Sequence, residues 1–115
     1  MFFSVTTQAT LHIGECEVGV TPTPQSPIVS TFVNGNDANV SWTTDPFARE
    51  YFFYYAPYSD PMDSTTYDNV NMMNLGLQTS IGGSLADGTH LYVAAQSSNC
   101  SGPSDFSNIE EVEIK

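Results

Sequence analysis

The run Tyr51-Phe52-Phe53-Tyr54-Tyr55-Ala56, preceded by Val40-Ser41-Trp42, decides how this chain folds. It is the longest apolar stretch and has the length of a strand, far short of the roughly 20 residues that cross a bilayer. Aromatic residues suit a pleated, half-buried surface. Alternation then puts Tyr51, Phe53 and Tyr55 on one face and Phe52 and Tyr54 on the other. The first set is expected to point inward, beside Leu91, Val93 and Ala95 of the run 90–96, which alternates in the same way. Trp42 is the only tryptophan and sits in an alternating strand, so it is expected to be the largest plug in the core.

Further along the chain, strand-like runs at 28–32, 39–43, 50–56, 79–85, 90–96 and 109–114 alternate with turn formers. Asn34-Gly35-Asn36-Asp37, Asp45-Pro46, Asp60-Pro61, Ala86-Asp87-Gly88 and Asn99-Cys100-Ser101-Gly102-Pro103 supply the turns, and the stretch 60–71 reads as a polar loop. No helical stripe competes. About seven short strands with turns every ~8–12 residues predict an all-β antiparallel sandwich. Upstream, Phe3, Val5, Thr7, Ala9, Leu11 and Ile13 fall on one face of a further strand. The chain therefore divides into an N-terminal extension strand at 1–14, a linker at 15–26 containing Gly19, Pro22 and Pro24, and a sandwich at 27–115.

Charge narrows the function. The 115 residues hold 13 acidic and 2 basic side chains, a net charge of −11 that repels phosphate backbones and anionic lipid. Nucleic acid is not expected as a partner, nor is direct insertion into a membrane. Catalysis has little to work with: Arg49 is the only internal cation, and His12 and His90 lack the neighbours that zinc sites need. Asp60, Asp63, Asp68 and Asn69 do not form a calcium loop pattern and read as solvated turn residues. Gly82-Gly83-Ser84-Leu85-Ala86 misses the nucleophile-elbow pattern at its last position. No cofactor, metal or catalytic residue is expected.

From Pro27 to Ile114 the chain resembles a fibronectin type III domain. The resemblance rests on Pro27 before the first strand, Trp42 in Val40-Ser41-Trp42, and Tyr51-x-Phe53-x-Tyr55. It continues through Leu85-x-x-Gly88-Thr89 and Ser104-Asp105-Phe106-Ser107-Asn108. Tyr55-Ala56-Pro57-Tyr58 and Phe106-Ser107-Asn108-Ile109-Glu110 are similar to modules of secreted or surface-attached bacterial proteins. An immunoglobulin-like sandwich on the cell surface or outside the cell is what this implies, with Trp42, Tyr51, Phe53, Tyr55, Leu85, Leu91 and Val93 in its core. One position departs: the family's tyrosine six residues after Leu85 is Leu91 here. The turn at Asp87-Gly88 is therefore expected to be looser, with Tyr92 pointing outward. In that fold the approach to the first strand and the loop between the last two strands share a pole. An intrachain Cys16–Cys100 disulfide is thus expected in an oxidising compartment. Two free thiols and an intermolecular bridge are the alternatives.

Two features carry the functional expectation. The extension strand, through Phe3, Val5, Ala9, Leu11 and Ile13, pairs with its own domain, is the remnant of a preceding domain, or is donated to the next subunit. Phe52, Tyr54 and Tyr92 are expected to form an outward aromatic patch. It would serve subunit packing, sugar stacking, or a cross-strand ladder covered by residues 58–71. The leading expectation is a non-catalytic extracellular structural or adhesive module acting by protein–protein contacts, in its concrete form a filament subunit joined head to tail by donor strands. Its partners are copies of itself or neighbouring surface proteins. The alternative is an accessory carbohydrate-binding module that stacks polysaccharide on the exposed aromatics.

Overall fold

The computed structural model describes residues 16–59 and 69–115. The extension strand with Phe3, Val5, Ala9, Leu11 and Ile13, His12, and the acidic residues Asp60, Asp63 and Asp68 lie outside them. Every regular element among the described residues is a strand: β1 (Val29–Asn34), β2 (Asp37–Trp42), β3 (Glu50–Pro57), β4 (Asn71–Asn74), β5 (Ser80–Ser84), β6 (His90–Asn99), β7 (Gly102–Pro103) and β8 (Glu110–Glu113). One antiparallel sheet has the order β1-β2-β5. The other runs β4-β3-β6, with β7 and β8 both pairing β6 along its far edge. The expected sandwich of about seven strands is present, its last strand interrupted between β7 and β8.

The interruption has a local cause. Pro103 has no N–H to continue the ladder. Beyond it, serine hydroxyls replace carbonyl acceptors: Ser97 N–H donates to Ser104 Oγ at 3.0 Å and Ala95 N–H to Ser107 Oγ at 2.8 Å. Ser104 N–H and Ser107 N–H return bonds of 2.8 Å to the carbonyls of Ser97 and Ala95. The chain between these two buried serines bulges away from the sheet. At the other end of the sequence, β1 and β2 join through Gly35 and Asn36, and Gly35 takes the left-handed φ of 62° that this short hairpin loop requires.

Inner faces follow the alternation. Val40 and Trp42 of β2, Tyr51 and Phe53 of β3, Val93 and Ala95 of β6, and Val112 and Ile114 form one buried cluster, with Tyr55, Leu75, Ile81 and Leu85 half-buried against it. Trp42 bridges the sheets, its ring stacked on Phe53 (centroids 6.0 Å, 16° apart) and tilted against Tyr51 at 6.4 Å. Its Nε1 is buried with no hydrogen-bond partner among the described residues. Leu91 pairs with Val112 and is half-buried, lining a groove at the edge of this cluster.

Two further differences from the sequence reading stand out. β4 forms from the end of the stretch read as loop into residues 72–74, which the sequence reading gave to no strand, because Asn71-Met72-Met73-Asn74 finds β3 to pair with. The turn at Asp87-Gly88 is anchored rather than loose: Asn36 Nδ2 donates to Leu85 O at 2.9 Å and to Asp87 Oδ1 at 2.6 Å. Gly88 N–H donates to Ile114 O at 2.9 Å and Ile114 N–H to Thr89 O at 2.7 Å. A side chain from the β1–β2 hairpin thus does what the missing tyrosine hydroxyl would have done.

Cys16 and Cys100 form a disulfide, with Cα atoms 5.7 Å apart and a sequence separation of 84. From Cys16 the segment runs along the end of the sandwich. Asn99 Nδ2 donates to Pro22 O at 2.7 Å, Ser97 Oγ to Gln25 O at 2.7 Å, and Ser101 Oγ to Thr21 O. Cys16 therefore sits at the pole where β6 ends, opposite the pole where Ile114 meets the Gly88 turn.

Two outcomes follow from this packing. Trp42→Ala is expected to lower unfolding stability by about 3–5 kcal/mol in a urea titration, and Trp42→Phe by clearly less, since no indole hydrogen bond is lost. Equal losses for both variants would show that the indole nitrogen is bonded after all. Thiol alkylation is expected to find no reactive cysteine before reduction, and reduction to cost about 4 kcal/mol on the chain-entropy account.

Candidate functional site

On the outer face of the five-stranded sheet, side chains alternate opposite to the core. Phe52 and Tyr54 of β3 point outward, as do Tyr92 and Gln96 of β6. Register separates what sequence alone had grouped. Tyr54 pairs with Ala94 and Tyr92 with Ala56, so these two rings are diagonal neighbours, whereas Phe52 lies opposite Gln96 and Asn74. All three of Phe52, Tyr54 and Tyr92 are half-buried.

The bulge between the two serines completes the site. It carries Phe106 over the sheet, where the ring meets Tyr54 edge-on (centroids 5.0 Å, 76°). Tyr54, Ala56, Tyr92, Val70, Phe106 and Ile109 then line a groove of about 370 Å³. Phe106 is 57% exposed and Ile109 51% exposed, unusual for large apolar side chains that converge on one groove. Phe106, Ile109 and Val70 sit outside the regular strands: the bulge brings Phe106 to Tyr54, while Val70 enters from just before β4 and Ile109 from just before β8.

The polar tips of the groove are already engaged. Tyr54 donates its hydroxyl to Gln96 Oε1 at 2.8 Å, and Gln96 Nε2 donates to Ser104 O at 2.8 Å. Desolvation by burial pushes the Tyr54 phenol above its ordinary pKa. Tyr92 donates to Ser59 O. Beside it, Tyr58 stacks flat on His90 at 3.7 Å, and His90 Nε2 lies 2.9 Å from Glu111 Oε1. His90 thus belongs to a surface stack. Among the described residues no group of three or more His, Cys, Asp or Glu side chains could hold a metal ion. The arrangement offers apolar contact and shape, with no nucleophile–base pair on its walls.

The fold can be compared with known proteins. No protein-family model and no curated protein matches the chain. Solved structures do. The chain is similar to the FN5 domain of Drosophila Lar, at 17% identity and a TM-score of 0.57, covering 79% of this chain and 96% of that one. It is similar to the fn3 domain of the human collagen alpha-1(XX) chain, at 16% identity and 0.57, covering 86% and 89%. The sixth fibronectin type III domain of human fibronectin type III domain containing protein 3 gives 16% and 0.60, covering 84% and 89%.

Tyr54 supplies a direct check on the groove. Its folded-state pKa lies above the unfolded value of about 10, so its share of stability is complete below that pH and is lost as pH rises through the folded value. A phenolate absorbance titration is expected to show a late-ionising tyrosine that disappears in Tyr54→Phe. An unchanged titration curve would place that late step elsewhere.

Proposed function

We propose that this chain, which has the fibronectin type III fold, is a non-catalytic extracellular module that works by protein–protein contact, joined to copies of itself through its N-terminal segment. The observation that carries this reading is the Cys16–Cys100 bridge. It holds Cys16, where residues 1–15 join the domain, at one pole of the sandwich, while the last strand ends at the other. A segment with an apolar face, released at one end of a module, suits a head-to-tail contact. Such a contact is heterologous and propagates unless it closes into a ring.

Compartment supports the same reading. A bridged pair of cysteines persists outside reducing cytosol. No helix among the described residues is long and apolar enough to cross a membrane. The surface carries little charge for its size, with 13% charged residues of mostly one sign, which discourages contact between the folded domains themselves. A polysaccharide reading of the aromatic groove has less support. Tyr54 presents an edge-on pair with Phe106 rather than a free ring face, and both tyrosine hydroxyls are spent within the chain.

Sedimentation velocity and negative-stain microscopy test the proposal. The full chain is expected to form concentration-dependent oligomers or fibres, and the variant lacking residues 1–14 to remain a folded monomer. A full chain that stays monomeric at every concentration would overturn the reading.

A further inference from the structure

The two flanks of the sandwich are built differently. On the β1–β8 flank, Asn108 stitches the sheets together: Val29 N–H donates to Asn108 Oδ1 at 2.8 Å, and Asn108 Nδ2 donates to Val29 O at 3.0 Å. Val29 and Val112 are fully covered there. On the other flank, between β4 and β5, the sheets gape. A groove of about 280 Å³ enters the core there, lined by Phe53, Tyr55, Met73, Ile81, Gly83 and Leu85 among others. Its lip is Met73, 40% exposed although it faces the interior opposite Phe53.

Gly83 is the reason for the gap. It pairs with the core residue Ala38, so its missing side chain belongs on the inner face, and a Cβ built there would touch nothing within 4 Å. The space is about twice the ~150 Å³ that accommodates a benzene molecule in a protein core. Two branched side chains would fill it.

The same edge offers backbone partners. Trp42 N–H bonds to Thr79 O and Leu85 N–H to Asn36 O, so the odd-numbered residues of β5 turn their amides and carbonyls toward β2. Antiparallel alternation then directs the N–H and C=O groups of Ser80, Gly82 and Ser84 away from β2, along the rim of the groove. An apolar cleft rimmed by strand groups that have no partner among the described residues takes an added strand with alternating side chains.

We infer that the β4–β5 seam is the acceptor for the Phe2–Ile13 segment of a second copy; this rests on the donated-strand reading above. Three observations favour that occupant. Its alternation puts Phe3, Val5, Leu11 and Ile13 on one face, the chemistry that the groove lacks. Residues 1–14 contain no Asp, Glu, Lys or Arg, so the entire net charge of −11 resides in the remainder of the chain. The segment can therefore approach the seam without charge repulsion and without burying a charge. Its 12 residues extend to ~40 Å, against ~17 Å for the five residues of β5, which leaves length to span between modules. Residues 60–68, the other stretch outside the described structure, hold Asp60, Pro61, Asp63 and Asp68 and do not suit an apolar groove.

Amide hydrogen exchange and sedimentation on the full chain test the inference. The amides of Gly82 and Ser84 are expected to exchange about a hundredfold or more slower than open-edge amides. Val5→Asp or Leu11→Asp should remove that protection while leaving Ile81 and Gly83, bonded to β2, unchanged. Gly83→Val plugs the groove from within and should weaken self-association about tenfold or more, with Gly83→Ala as the milder form. If the chain assembles while Gly82 and Ser84 exchange freely, the seam is the wrong acceptor and strand donation stands. If it does not assemble and Val5→Asp changes nothing, donation itself fails. Protection in a strictly monomeric chain overturns the second copy as occupant, because the segment then fills its own seam.

Discussion

Trp42 lying on Phe53 is the contact that turns two sheets into one domain. The indole comes from the three-stranded sheet and the phenyl ring from the five-stranded one, and Tyr51 and Tyr55 extend the aromatic row to either side. Burying rings of this size supplies most of what a domain this small can gain from its core. The other devices are distributed around that row. Asn108 closes one flank, the disulfide and the bonds from Ser97, Asn99 and Ser101 hold one pole, and Asn36 clamps the turn at the opposite pole. The β4–β5 flank has no such closure among the described residues, and there the filling stops at a glycine.

Much of this was legible in the sequence because alternation is a local property. The inward set Tyr51, Phe53 and Tyr55 and the outward set Phe52 and Tyr54 follow from period two alone. The limits of sequence reading are equally physical. Asn71-Met72-Met73-Asn74 has no intrinsic strand preference and becomes β4 only because β3 offers a partner. The aromatic groove was half visible. Tyr54 and Tyr92 were expected to be neighbours, whereas Phe106 arrives through a bulge set by two serine hydroxyls that no pattern announces, and Val70 and Ile109 join from the approaches to β4 and β8. Phe52 shares their face, but its register sets it beside Gln96 and Asn74. The anchored turn was missed because its support, Asn36, is 51 residues from Asp87 along the chain.

Charge and shape point to one mode of association. A domain with so few cations repels its own kind over most of its surface, whereas the uncharged N-terminal segment escapes that repulsion. Backbone pairing to Ser80, Gly82 and Ser84 would supply affinity insensitive to charge, and side chains entering the groove would supply register. The exposed Phe106 and Ile109 lie on the far face of the other sheet and would remain available for packing between modules in the proposed assembly.

If the core is completed by a strand from another copy, folding and association are linked, and stability must follow mass action. The most direct test is the thermal unfolding midpoint of the full chain, measured as protein concentration is raised across several decades. This account predicts a midpoint that climbs steadily with concentration; a midpoint that stays flat over the whole range would contradict it.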